Sequence, residues 1–258
     1  MKLTVLGSGS AGNATLIESD EGKFLVDVGF SGREMEKRLN LVGVGIREIQ
    51  AILLTHEHID HTKGLNILAC KHGIPVFCNR LTSEYLKPKL SSFGRWNLFI
   101  TGKPFRIGNL EIESFPIPHD AYDPVGFVFQ RGQKRIGFLT DLGYATHAVK
   151  ERMRKVDLMI LEANYDGQLL REDTKRPWAV KQRIMARHGH LSNDGAAGLV
   201  EEVVTKRLNH LILGHLSEDC NRPDLAEGSI GNALRKRHAS WVKLKTASQF
   251  EPSESIEL

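Results

Sequence analysis

Ala51-Ile-Leu-Leu-Thr55-His56-Glu57-His58-Ile59-Asp60-His61 is the stretch on which the reading of this chain turns. Residues 51–55 make a short apolar run that ends in threonine and reads as a buried strand. Directly after it come three histidines and an aspartate. Histidine is the commonest metal ligand among side chains. A loop leaving a strand can aim His56 and His58 at one ion, while Asp60 and His61, at the mouth of the next helix, face a second. Imidazole with carboxylate suits Zn²⁺, Mn²⁺ or Fe, whereas Ca²⁺ would ask for oxygen throughout. A solvated histidine cluster is the plain alternative. Gathering three imidazoles and a carboxylate out of water without a common partner is costly, so metal binding is preferred.

Outward from this loop, residues 2–6, 15–18 and 24–28 predict strands separated by glycine turns. Residues 33–39 have helical spacing, with Met35 and Leu39 at i, i+4. Downstream, 62–72 predicts a helix closed by Gly73. A strand at 75–78 and a helix at 81–90, disturbed at its end by Pro88, come next. Strands are predicted at 103–107, 110–115, 125–130 and 135–140, with turns at Gly108-Asn109 and Gly132-Gln133. The rhythm then changes to helix 146–154, strand 158–161, helices near 178–188 and at 193–207, strand 211–213, helix 225–237 and strand 241–244. Many strands with helices interleaved indicate an α/β or α+β chain whose sheets are covered by helices. Without a repeat, a low-complexity tract or a Pro/Ser linker, residues 1–258 are read as one domain.

Gly7-x-Gly9-x-x-Gly12 follows the first strand, with Asp27 20 residues beyond Gly7, and so mimics a dinucleotide-binding fingerprint. That fingerprint needs a helix opening at its third glycine. Here Asn13-Ala-Thr-Leu-Ile-Glu-Ser-Asp20 is strand-like and ends in the turn Glu21-Gly22. A hairpin is expected, and nicotinamide binding is set aside. The loop is either a plain tight glycine turn or one whose backbone N–H groups meet a bound anion, and Ser8, Ser10 and Asn13 are candidate substrate contacts.

The 258 residues hold 35 Lys+Arg and 31 Asp+Glu, a net charge of +4, and 41% are hydrophobic. This globular balance excludes long-range disorder, and the mild positive charge permits a polyanionic partner. Three scattered cysteines (Cys70, Cys78, Cys220) exclude a disulfide framework and suit small buried side chains in a reducing compartment. Residues 3–6 are too short for a signal peptide core, and no apolar run approaches the roughly 18 residues that span a bilayer. A cytoplasmic protein with no membrane association is expected.

The run from Thr55 to His61 resembles the T-H-x-H-x-D-H signature of the metallo-β-lactamase fold hydrolases. The likeness continues with His119 in Pro116-Ile-Pro-His119-Asp120, Asp141 in Gly137-Phe-Leu-Thr-Asp141 and His215 in Leu211-Ile-Leu-Gly-His215. What the resemblance implies is a four-layer αββα sandwich, two mixed β-sheets flanked by helices. It implies two divalent ions, zinc or manganese, with iron a further fit. His56, His58, His119 and Asp141 would hold one, and Asp60, His61, Asp141 and His215 the other. Asp27 in Leu25-Val-Asp27-Val-Gly29 matches a family position that orients the metal loop without ligating.

Gly189-His190-Leu-Ser-Asn-Asp194 opens a helix and looks like the histidine motif of ribonuclease Z and related phosphodiesterases. In that group the histidine contacts the scissile phosphate and helps the leaving group, and Leu161-Glu162-Ala-Asn-Tyr165 is similar to the segment after its bridging aspartate. Gly7-Ser-Gly-Ser-Ala-Gly-Asn13, His119-Asp-Ala, Gly189-His-Leu-Ser-Asn193 and Gly214-His-Leu-Ser217 together resemble the YycJ/WalJ-type exonuclease branch, over most of the chain. This implies a metal-dependent phosphodiesterase or nuclease, a DNA exonuclease on single or double strands. Asp60 would steer a metal-activated hydroxide and His190 would act as general acid.

Residues 171–188 add six basic side chains (Arg171, Lys175, Arg176, Lys181, Arg183, Arg187) against two acidic ones, with Trp178 among them. Such a segment can track a phosphate backbone, with Arg176 and Lys181 as the expected contacts, or it is a solvated helix face with a core tryptophan. The alternatives are a small cyclic phosphodiesterase or a thioester hydrolase and, in another class, a metal-binding regulatory protein without turnover. The oligomeric state stays open, a dimer included.

Overall fold

The computed structural model describes residues 1–91 and 95–258. The chain begins with β1 (Lys2–Gly7), β2 (Ala14–Ser19), β3 (Gly22–Val26), α1 (Gly32–Leu41), β4 (Ile49–Leu53) and α2 (Ile59–Thr62). It continues with β5 (Val76–Cys78), α3 (Arg80–Leu86), β6 (Trp96–Leu98), β7 (Phe105–Ile107), β8 (Leu110–Pro116), β9 (Val125–Arg131) and β10 (Lys134–Leu139). There follow α4 (His147–Met153), β11 (Leu158–Glu162), α5 (Gly167–Glu172), α6 (Trp178–Met185) and α7 (Asn193–Val203). The chain closes with β12 (His210–Gly214), α8 (Pro223–Lys236), β13 (Lys243–Thr246) and β14 (Ile256–Glu257). Contacts group these residues into two units. The first is Met1–Pro116 with Ala121–Val125 and Ser248–Leu258, and the second is Ile117–Asp120 with Gly126–Ala247.

The first unit carries a mixed sheet in the order β14-β1-β2-β3-β4-β5-β6. Pairing is antiparallel from β14 to β3 and parallel from β3 to β6. The hairpin β1–β2 confirms that the early glycines belong to a turn and not to a βαβ phosphate loop. Ser31 caps α1 by accepting from Glu34 N, and Met35 and Leu39 point the apolar stripe of that helix into the core. That core gathers Leu6, Leu16, Leu25, Ile52, Leu65 and Leu68, among others, beneath the parallel strands.

In the second unit the strands stand in the order β13-β12-β11-β10-β9. β9 and β10 pair antiparallel, and β10 through β13 run parallel. Every residue of β11 is buried, as expected of a parallel strand shielded on both faces. Tyr165, Leu170 and Cys220 form a smaller cluster against which Ile184 and Met185 of α6 pack.

Several local expectations are corrected. The helix expected over 62–72 is two pieces, α2 and a π-helical stretch Asn66–Lys71. The break lies at Gly64, whose N–H is spent on Val28 O at 2.8 Å and not on a helical partner. α6 stops at Met185, and α7 stops at Val203 because Val204 is extended. The strands expected at 103–107 and 241–244 occupy Phe105–Ile107 and Lys243–Thr246. β6, β14 and α5, the last capped by Asp166, were not expected. No helix among the described residues is long and apolar enough to cross a membrane. All three cysteines are free thiols, two of them buried.

Candidate metal centre

In the first unit, parallel pairing sets Val26 of β3 opposite Leu53 of β4, so Asp27 comes level with the start of the histidine loop. Asp27 is fully buried and left-handed, with φ 59°. That backbone costs a non-glycine residue about 1 kcal/mol or more, so something must hold it. Its carboxylate accepts from Thr55 N at 2.9 Å, Thr55 Oγ1 at 2.8 Å and His61 Nδ1 at 2.8 Å. With its own proton given to Asp27, the Thr55 hydroxyl accepts from His56 Nδ1 at 3.0 Å. The buried Asp27 side chain thus fixes the Nδ1–H tautomer of His61 directly and of His56 through Thr55. In that tautomer Nε2 is the unprotonated nitrogen, the form that ligates a metal. Burial pushes the Asp27 carboxyl up, while His61 and the Thr55 donors pull it back.

The rest of the loop is equally close. The His56 ring centroid lies 4.6 Å from that of His58 and 4.2 Å from that of His61. Asp60 Oδ2 is 3.4 Å from His61 Nε2. Backbone bonds hold the loop in place, from Asn13 N to Asp60 O at 2.8 Å and from Val28 N to His61 O at 2.9 Å. Gly29 is required here, since a Cβ at that position would overlap the Asp60 carbonyl.

In the second unit, β10, β11 and β12 lie parallel with Leu139 opposite Leu161 and Glu162 opposite Gly214. Their C-terminal ends therefore present Asp141, Glu162 and His215 side by side. Asp141 and His215 are also left-handed, with φ 58° and 56°. Glu162 is the hub. Its Oε1 accepts from Nδ1 of His190 and from Nδ1 of His215, each at 2.8 Å. Its Oε2 accepts from Leu142 N at 3.1 Å and Leu191 N at 3.0 Å. Burial pushes this carboxyl up, but His190 and His215 outweigh it and hold it at about 2. Glu162 is therefore an anion at neutral pH.

His119 donates Nδ1–H to Gly189 O at 3.1 Å and keeps Nε2 for a ligand. Burial lowers its pKa, although Asp141 opposes this, so the neutral form needed for ligation is favoured. Asn164 Nδ2 donates to His215 O at 2.8 Å and steadies the strained residue. Asp141 Oδ1 lies 3.6 Å from His190 Nδ1 and 3.5 Å from His215 Nδ1. Ligand atoms of Asp141, Glu162, His190 and His215 all fall within 4.8 Å of one another. A carboxylate and imidazoles at that spacing fit a divalent first-row ion. Within this group Glu162 accepts from both imidazoles.

Of the expected site residues, His56, His61, His119, Asp141, His215 and Asp27 are buried, while His58, Asp60 and His190 are partly exposed. The glycine loop behaves differently from an open anion cradle. Asn13 Oδ1 accepts from Ser8 Oγ at 2.9 Å and Gly9 N at 3.1 Å, and Asn13 Nδ2 lies 3.3 Å from His61 Nε2. Ser10 alone of the three is exposed. Arg176 and Lys181, expected as contacts to a phosphate backbone, both have partners within the chain. Arg176 is forked onto Asp173 and Asp219, and Lys181 is buried with its ammonium on Arg171 O at 2.8 Å. Glu162 and Asn164 were missed as site residues. The available signal was a charge closing an otherwise wholly apolar strand.

Residues 23–215 match the beta-lactamase superfamily domain. The chain is 34% identical to exodeoxyribonuclease YycJ of Bacillus anthracis, over 92% of this chain and 90% of that one. It is 36% identical to exodeoxyribonuclease WalJ of Streptococcus pneumoniae, over 90% and 88% of the two chains. Zinc-bound PqqB from Methylobacterium extorquens superposes with a TM-score of 0.73 at 16% identity over the whole of both chains, a likeness of fold.

Proposed function

The chain belongs to the metallo-β-lactamase superfamily of hydrolases, and from that premise we propose that it hydrolyses phosphodiester bonds of DNA from a strand end. The observation that carries this reading is the clamp of Glu162 on His190, 2.8 Å long and beside Asp141. Held through Nδ1 and partly exposed, His190 can present Nε2 to a leaving oxygen. The names of the two bacterial relatives support DNA as the substrate. Because one family match runs from 23 to 215, through both units, we read the chain as one domain. Cytoplasmic action suits its free thiols.

Following the family's motif order, His56, His58, His119 and Asp141 would hold one divalent ion, and Asp60, His61, Asp141 and His215 a second, zinc or manganese or iron. Such ions supply Lewis acidity toward the phosphate oxygens and lower the pKa of water. The protein's own groups do the rest. Asp60 accepts a hydrogen bond from the attacking water, aims its oxygen at phosphorus and takes up the proton that the water loses as the new P–O bond forms. Protonated His190 gives its Nε2 proton to the leaving oxygen as the P–O bond breaks. The Glu162 anion stabilises that imidazolium through Nδ1.

The test is incubation of end-labelled single- and double-stranded DNA and RNA with Zn²⁺ or Mn²⁺, beside Asp60→Ala. Metal-dependent shortening of DNA from one end, absent in the variant, is expected. Intact strands under every metal, with turnover of a small cyclic diester or a thioester instead, would overturn the reading.

A further inference from the structure

Glu57 stands between two ligand histidines, yet its carboxylate turns to a different task. It is 6% exposed, and its Oε1 accepts from the backbone N–H of Tyr122 at 2.9 Å. The segment around Tyr122 is pinned on its other side too. Asn79 Nδ2 donates to Asp123 O at 2.6 Å, and Thr101 Oγ1 donates to Asp123 Oδ2 at 2.8 Å. Despite this rigid backbone, the Tyr122 ring is 62% exposed. It leans on Tyr85 with centroids 5.3 Å apart and planes at 44°, and Lys89 Nζ sits 3.4 Å over the Tyr85 ring.

We propose that Tyr122, backed by Tyr85 and Lys89 and set by Glu57 beside the metal loop, is a platform on which an unpaired nucleobase of the substrate strand stacks. This rests on the nuclease reading above and deepens it by naming the single strand as the form engaged. An exposed ring on an already ordered backbone gives stacking surface at little further entropic cost. Aromatic faces take bases of any sequence, and a cation beside them attracts the phosphate chain. Paired bases inside a duplex offer no free face. The chain therefore engages single-stranded or frayed ends first.

The test uses the metal-loaded protein and a phosphorothioate-linked single strand with 2-aminopurine at its end. The expected result is quenching of the base on binding. Tyr122→Ala should weaken binding roughly 5- to 100-fold and abolish the quench, while Tyr122→Phe should preserve both. In digestion of ordinary strands the alanine variant should lose in KM and not in kcat. Tyr122 is exposed, so its truncation opens no core cavity, and a melting curve checks the fold. Wild-type affinity and quench in Tyr122→Ala, with digestion intact, would overturn the platform and leave the nuclease reading standing. A wild-type protein that neither binds nor digests any strand would overturn both.

Discussion

His61 gives its Nδ1 proton to Asp27 across 2.8 Å, with both side chains wholly enclosed. The same carboxylate orders His56 through the Thr55 hydroxyl. An amide in its place offers one acceptor atom where the carboxylate offers two, and it sets an N–H₂ against one of the donors. Asp27→Asn is therefore expected to lower metal affinity about 10- to 100-fold while the fold is kept. Competition against a chromogenic chelator measures this, and unchanged affinity would refute the orienting role.

Glu162 gives a pH dependence with a definite sign. Its carboxyl sits at about 2 in the folded chain against an ordinary 4.5. Between those values the unfolded chain binds the extra proton. The contribution is thus complete above about pH 4.5 and is lost as pH falls toward about 2. Denaturant unfolding of chelator-treated protein should show wild type losing stability across that window more steeply than Glu162→Gln. Equal slopes would contradict the clamp.

How the sequence anticipated these features follows from locality. The loop 55–61 stood out as a contiguous motif after an apolar strand, while His119, Asp141 and His215 were named only because the family resemblance expects ligands in that order. Glu162 was read only within the segment 161–165 that resembles a family motif, just past a strand expected over 158–161. Its role depends on His190 and His215, which reach it from 28 and 53 residues away. Lys181 and Arg176 looked like free cations for the same reason, since Asp219 lies 43 residues from Arg176. The broken helix after the ligand loop was hidden as well, because Gly64 spends its N–H on a carbonyl of another strand's loop.

Positive φ at non-glycine residues marks Asp27, Asp141, His215 and His238 among the described residues. Three of them are candidate site residues, and hydrogen bonds hold Asp27 and His215 in this backbone. His238 is exposed just past α8 and serves no such network. His238→Gly should stabilise the chain by up to about 1 kcal/mol, roughly 2–4 °C in melting temperature for a chain of this size. Gly at position 215 should instead reduce metal affinity. A melting temperature unchanged or lowered by His238→Gly would mean that this backbone is not strained.

Asp60 and His190 separate metal binding from turnover. On the proposed reading Asp60 is both a ligand and the group that aims the water, so Asp60→Ala should lower metal content and activity together. His190→Ala leaves Glu162 still bonded to His215 at 2.8 Å, so metal should stay bound while DNA hydrolysis drops by about 10²- to 10⁴-fold. The size of that loss should depend on the leaving group. An alkoxide needs a proton to depart, whereas p-nitrophenolate leaves readily without one. Hydrolysis of bis(p-nitrophenyl) phosphate should therefore suffer much less than hydrolysis of DNA in the His190 variant. An equal loss on both substrates would assign His190 to holding the phosphate and not to proton transfer, and the clamp on Glu162 would then serve charge alone.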